Sequence, residues 1–296
     1  MGGRDGGGVP VEGDQPPNVP AEVEHLAACF LTAADSTVPG LIQGLYLTGS
    51  VALGDFRSHC SDVDFVAVSE HRPDRAELNG LAAAHEAVVR RDPTFHFEGT
   101  HVKWSDLRAG PAACAPAPFI HEGCFSPSGT FAIDPVTWHE LADHGLPLRG
   151  PPIARVPVWR DDAALRAWTL RNWVEYWIPW ISQYREGPSA LDARPELVCW
   201  GVLGVARLHY TVSTGCIVSK TRAGQYALQA FERRWERIVS EALRLRAAPT
   251  LASDYGDLSQ RRADVAAFMA SVIESGLRRN SPPSTSARSS SSRWAR

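Results

Sequence analysis

The sequence predicts an α+β fold: a first half that mixes short strands with helices, followed by a second half that is helical throughout. Two apolar runs of strand length, residues 41–48 and 63–68, lie among helical patterns near 21–35 and 74–90, and a further strand-like stretch covers 95–102. By period alone this half reads as α/β or α+β. From about residue 160 apolar positions recur at intervals of three and four: Leu165, Trp168 and Tyr176; Val198, Val202, Val205 and Leu208; Ile238, Val239 and Ala242; Val265, Phe268 and Val272. The Pro-rich segment 150–157 separates the two patterns and is the natural boundary.

Local signals support the individual elements. Pro195 stands where a helix would begin and Gly215 just beyond its end, the usual asymmetry of helix termini. Residues 1–20 are rich in Gly and Pro, and 280–296 form a polar Ser/Arg tail; neither carries enough apolar surface to order itself. Two disordered tails are therefore expected around domains at 21–155 and 156–279, and 296 residues suffice for two separate cores. The Trp residues at 168, 173, 177 and 180 have the spacing of helix packing.

Composition narrows the function classes. A net charge of −3 and an isoelectric point near 6.4 disfavour nucleic acid, whose binders gain affinity by counterion release from a basic surface. No apolar run approaches the ~20 residues of a membrane span, and the Gly-rich start lacks a signal peptide's apolar core, so a cytoplasmic protein with no membrane partner is expected. The six cysteines form no Cys-x-x-Cys pair and are expected to be reduced thiols. Lys103 and Lys220 are the only lysines in an arginine-rich chain, which makes each a mild functional clue.

The chemistry concentrates between residues 47 and 68. An apolar strand ends at Gly49-Ser50, and after an irregular loop a second strand opens with Asp62-Val63-Asp64. Side chains alternate along a strand, so Asp62 and Asp64 face the same way while Val63 and Phe65 turn into a core. Converging carboxylates repel unless a cation lies between them, and hard oxygen ligands suit Mg²⁺ with substrate phosphates. Gly49 removes a side chain where backbone N–H groups must approach a phosphate, and Ser50 adds a hydroxyl. His96 and His101 fall on opposite faces of one strand, which speaks against a zinc pair and for structural roles.

This Gly-Ser, loop, Asp-x-Asp pattern resembles the nucleotidyltransferase superfamily, which places a third carboxylate on a later strand; Glu98 in Phe97-Glu98-Gly99-Thr100-His101-Val102 matches it. The resemblance narrows to the aminoglycoside 3''-adenylyltransferases. Residues 97–107 look like their third-acid strand, and residues 205–220 look like their helix-turn-Lys segment, in which an Arg and a Lys bind triphosphate, here Arg207 and Lys220. The resemblance implies a mixed-sheet nucleotidyltransferase domain followed by an all-α bundle, acting as a monomer on ATP and a small acceptor.

On this resemblance the expected reaction is attack of an acceptor hydroxyl on the α-phosphorus of ATP. Asp62, Asp64 and Glu98 would hold Mg²⁺, with Glu98 also the base; Gly49, Ser50, Ser61, Arg207 and Lys220 would bind the nucleotide. Streptomycin- and spectinomycin-modifying relatives carry acidic and polar residues where this chain has Leu197 and Trp200, and the nearest acids here are Glu196 and Asp192. Glu196, Trp200 and Phe125 are the expected acceptor contacts. An aminoglycoside or aminocyclitol is the first expectation; a biosynthetic acceptor, or a binding module without activity, is the alternative.

Overall fold

The computed structural model describes residues 18–93, 96–188 and 194–280. Phe95, Asp192 and the expected tails, apart from 18–20 and Asn280, lie outside them. The chain forms two compact units, Met1–Ile133 with Glu140–Trp159, and Asp134–His139 with Arg160–Arg296. Sequence places the boundary at 155/156; the contacts change hands at Trp159/Arg160, and the short piece Asp134–His139 counts with the helical unit.

The first unit is built on a six-stranded mixed sheet in the order β5-β4-β3-β2-β1-β6. Helix α1 (Ala21–Thr37) buries Val23, Leu26, Ala27, Phe30 and Ala34, the three-and-four spacing read in the sequence. Strands β1 (Gly44–Leu47) and β2 (Val63–Ser69) pair antiparallel, separated by the one-turn helix α2 (Gly49–Ala52). Helix α3 (Arg75–Arg91) starts at a capping box in which Asp74 accepts from the Glu77 N–H and Glu77 from the Asp74 N–H. It carries the chain across to β3 (Phe97–Lys103), which runs parallel to β2.

The elements that follow β3 in this unit have no counterpart among the sequence expectations. They include α4 (Trp104–Ala109), the hairpin β4 (Ala117–His121) and β5 (Cys124–Gly129), and β6 (Leu146–Arg149), which follows α5 (Pro135–His144) and closes the sheet beside β1. Their residues mix Pro, Gly and Cys with single aromatics and show no sustained period.

The second unit is helical: α6 (Asp162–Asn172), α7 (Ile178–Glu186), α8 (Pro195–Val198), α9 (Gly204–Thr214), α10 (Lys220–Ala230), α11 (Glu236–Ala247) and α12 (Leu258–Asn280). Two π-helical segments interrupt it, Trp173–Trp177 before α7 and Cys199–Leu203 before α9. Trp173 and Trp177 lie in its core with Val202, Val205, Val239, Val265 and Phe268. Gly215 caps α9 in the left-handed conformation, as the sequence leads one to expect.

Beneath the sheet of the first unit sits a buried histidine pair. His85 on α3 and His101 on β3 bring their Nε2 atoms to 2.9 Å, packed among Phe30, Phe65, Phe97 and Phe125. One Nε2 must donate and the other accept, so the two rings cannot both be protonated. Burial holds His101 down to about 3, and burial together with the neighbouring His101 holds His85 well below the ordinary histidine value. The unfolded chain takes up these protons below about pH 6.5 and the folded one does not. The pair's contribution is therefore complete above that pH and declines as pH falls towards about 3. Urea unfolding at stepped pH is expected to show stability falling between about pH 6.5 and 4. The double variant His85→Leu/His101→Leu is expected to flatten that slope; an unchanged slope would mean that the pair is not its source.

Candidate active site

The site begins where β1 stops. After Leu47 the buried Thr48 donates its N–H to the Asp64 carbonyl at 3.0 Å, tying the end of β1 to the start of β2. Gly49 then takes a φ of +61°, and a β-carbon on it would lie 1.9 Å from Asp64 Oδ2. The carboxylate of Asp64 thus rests against the backbone of the turn, at a point that admits no side chain. The next residue, Ser50, holds its Oγ buried with no hydrogen-bond partner in the structure. The loop is closed by the Arg57 N–H donating to Ser61 Oγ at 3.0 Å and the Ser61 N–H donating to the Arg57 carbonyl at 2.8 Å.

Strand pairing brings the acids together. Asp64 and Glu98 are direct partners in the parallel β2/β3 ladder, so their side chains leave the same face of the sheet. Asp62, just ahead of β2, is exposed, whereas Asp64 is half-buried and Glu98 is 6% exposed. Donor atoms of Asp62, His96 and Glu98 all lie within 4.8 Å of one another. That close group takes in His96 in place of Asp64, which stands against Gly49 instead.

Glu98 is held from the far side by the β4–β5 hairpin. The hairpin turns on two residues, Glu122 at φ +48° and Gly123 at φ +71°, the both-positive geometry of a type I′ turn. That turn aims the Glu122 N–H at Glu98 Oε1, at 2.6 Å, while His121 Nδ1 meets Oε2 at 2.8 Å. The His121 ring is itself braced by Phe131, stacked at 4.4 Å. A carboxylate gripped at both oxygens has one orientation, yet each oxygen keeps a further lone pair for another partner.

The remaining expected residues fall as follows. Arg207 is half-buried on α9, and its charge acts on the carboxyl of Asp134 at the start of α5, in the same unit. Burial pushes that carboxyl up, against the N–H groups of Thr137 and Val136 and the charge of Arg207. Lys220 is the first residue of α10, whose Ser219 cap accepts from the Arg222 N–H at 3.3 Å. Glu196 is exposed and paired with Arg194, so its charge is already matched. Trp200 packs at 4.2 Å from Trp177, with Trp180 and Tyr176 edge-on to it. Phe125 stacks on His85 at 5.6 Å, against the core.

Sequence reasoning sees Gly49, Asp62, Asp64 and Glu98 but not His121 and Glu122, and it assigns His96 no part in the site. A Glu-Gly pair between alternating residues is a faint hairpin signal, and nothing local shows that this hairpin tip meets Glu98.

Two substitutions are expected to disturb this arrangement differently. Gly49→Ala costs about 1–2 kcal/mol for the left-handed backbone and displaces Asp64. Both a lowered melting temperature and a loss of catalytic rate should follow. His121→Leu should leave the melting temperature near wild type but lower kcat more than it raises KM, and His121→Asn, which keeps a donor, should restore much of the rate. Equal kcat in all three His121 proteins would mean that the ring does not orient Glu98.

Comparison with known proteins agrees with this arrangement of domains. The nucleotidyltransferase domain model matches residues 30–107, and the model of the aminoglycoside adenylyltransferase C-terminal domain matches residues 181–275. No curated protein matches the sequence significantly. Among solved structures, the spectinomycin adenyltransferase AAD(9) from Enterococcus faecialis, determined with ATP and spectinomycin, is similar in fold. The TM-score is 0.57 at 11% identity, over 83% of this chain and 98% of that one. With one domain match in each half, in this order, the chain carries a nucleotidyltransferase domain followed by an aminoglycoside adenylyltransferase C-terminal domain.

Proposed function

We propose that the enzyme transfers AMP from ATP to a hydroxyl of a small aminoglycoside or aminocyclitol, an antibiotic-modifying activity. The observation that carries this reading is the direct pairing of Asp64 with Glu98 beside the side-chain-free turn at Gly49, inside the matched nucleotidyltransferase domain. The neighbour AAD(9), solved with ATP and spectinomycin, supports the choice of donor and of acceptor class. The protein acts on small molecules as a cytoplasmic monomer in this reading; among the described residues no helix is long and apolar enough to cross a membrane.

The donor chemistry fits a divalent cation such as Mg²⁺. Asp62, Asp64 and Glu98 offer hard carboxylate oxygens, and the buried, unpartnered Ser50 Oγ is a polar atom that a phosphate oxygen would satisfy. The cation, when bound, supplies positive charge against the phosphate oxygens. Glu98 takes the proton of the acceptor hydroxyl as its oxygen bonds to the α-phosphorus; the bond to the bridging oxygen breaks and pyrophosphate leaves. General-base assistance of this kind is worth about 10²–10⁴ in rate. Gly49, Ser50 and Ser61 contact the phosphates, and Arg207 and Lys220 are the helical unit's phosphate cations in the same reading. Trp200, within its aromatic group, offers a face for a sugar or cyclitol ring, and Glu196 a carboxylate now shared with Arg194.

Incubation with labelled ATP, Mg²⁺ and an acceptor panel headed by streptomycin and spectinomycin is the direct test. Acceptor-dependent pyrophosphate release and an AMP-bearing product are expected; their absence across the panel would remove this acceptor class. Asp64→Asn and Glu98→Gln should abolish transfer while preserving the fold. Arg207→Met and Lys220→Met should each weaken ATP use by about 1.5–3 kcal/mol per lost charge-assisted hydrogen bond. Unchanged ATP kinetics in both would place these cations outside the nucleotide site.

A further inference from the structure

His96 has no part in the transfer described above, yet it stands beside two of the acids. Its Nδ1 is 3.5 Å from Glu98 Oε1, and a donor atom of the ring lies within 4.8 Å of donor atoms of both Asp62 and Glu98. His96 leads directly into β3, and β3 is fixed to β2 along its length, so the backbone bearing His96 is set by the same ladder that sets Glu98. The Val63 N–H donates to the His96 carbonyl at 2.8 Å, which extends that ladder to His96 itself and to the residue beside Asp62.

The donor set is mixed. Two carboxylates alone suit Mg²⁺, which prefers oxygen and gives up its waters reluctantly. An imidazole nitrogen adds little for Mg²⁺ but strengthens a site for first-row transition ions, whose affinity for nitrogen rises from Mn²⁺ through Co²⁺. Glu98 is prepared for a role of this kind. The Glu122 N–H and His121 Nδ1 occupy one acceptor position on each oxygen and fix the plane of the carboxylate, as outer partners do for metal ligands. The matched nucleotidyltransferase domain spans all three residues.

We infer that His96 is a metal ligand alongside Asp62 and Glu98, making a nitrogen–oxygen site that takes a transition ion such as Co²⁺ or Mn²⁺ more tightly than Mg²⁺. The inference rests on the cation assignment made under the proposed function and adds to it a nitrogen ligand and the class of ion. His96 is 48% exposed in its side chain, so its replacement leaves the core intact.

The test is direct binding of the metal alone, without nucleotide or acceptor, to the full-length protein. Calorimetry with Co²⁺, Mn²⁺ and Mg²⁺ is run on wild type, His96→Ala and Asp62→Asn, and the visible absorption of bound Co²⁺ is recorded in parallel. For His96→Ala the expected result is a loss of at least about tenfold in Co²⁺ and Mn²⁺ affinity, a changed Co²⁺ spectrum, and Mg²⁺ affinity within about a factor of two of wild type. For Asp62→Asn all three ions should bind more weakly. Unchanged Co²⁺ affinity and spectrum in His96→Ala overturn the inference, while weakening by Asp62→Asn in the same experiment leaves the cation assignment standing. If Asp62→Asn alters the binding of no ion, the cation assignment itself fails, and the inference with it.

Discussion

The parallel pairing of β2 with β3 is the constraint on which the rest of the site depends, because it places Asp64 directly against Glu98 with Asp62 one step away. Like charges on adjacent strands repel, so nothing in the acids themselves favours this register. It is held from the other face, where Phe65 and Phe97 stack at 4.3 Å and join Phe30, His85 and His101 in a buried cluster. A slip of β3 by one residue would turn Glu98 to the core face and Phe97 away from it. Apolar burial under the sheet thus stabilises a convergence of charge on top of it.

Around that register the backbone is shaped to the acids it passes. The turn at Gly49 passes against Asp64 without a side chain, and the Thr48 hydrogen bond to Asp64 fixes the approach. On the opposite flank the β4–β5 hairpin ends in a turn whose N–H and adjacent imidazole fix Glu98. A short turn with two residues at positive φ is stiff, so the grip on Glu98 is an attribute of the sheet rather than of a mobile loop.

The helical unit solves a different problem. Its two π-helical segments, Trp173–Trp177 and Cys199–Leu203, each contain an extra residue per turn, which shifts the face on which later side chains emerge. Trp177 from one and Trp200 from the other meet at 4.2 Å, with Trp180 and Tyr176 around them. Tyr176, Trp177 and Trp180 follow helical spacing and Trp200 meets them from the other segment; π insertions of this kind recur at functional sites. Here they gather aromatic surface where the family resemblance leads one to look for acids.

The sequence by itself determined the α+β class and the helical second half, and it brought out Asp62, Asp64 and Glu98 as candidate acids. Strong periods announce α1, α3 and the long helices, and the Gly-Ser and Asp-x-Asp pair is contiguous enough to be read along the chain. Glu98 was legible through the resemblance to the nucleotidyltransferase superfamily, whose pattern places a third carboxylate on a later strand. Tertiary structure alone decided what surrounds these residues. The hairpin that orients Glu98 is 23 residues further on in the chain, the approach of His96 to Asp62 crosses from one strand to the next, and the π segments shift helical phase without any change in composition. The physical reason is common to all three: a local pattern reports which face a side chain takes, whereas the partner it meets on that face is chosen by strand order, turn geometry and helix register, which only the packed chain fixes.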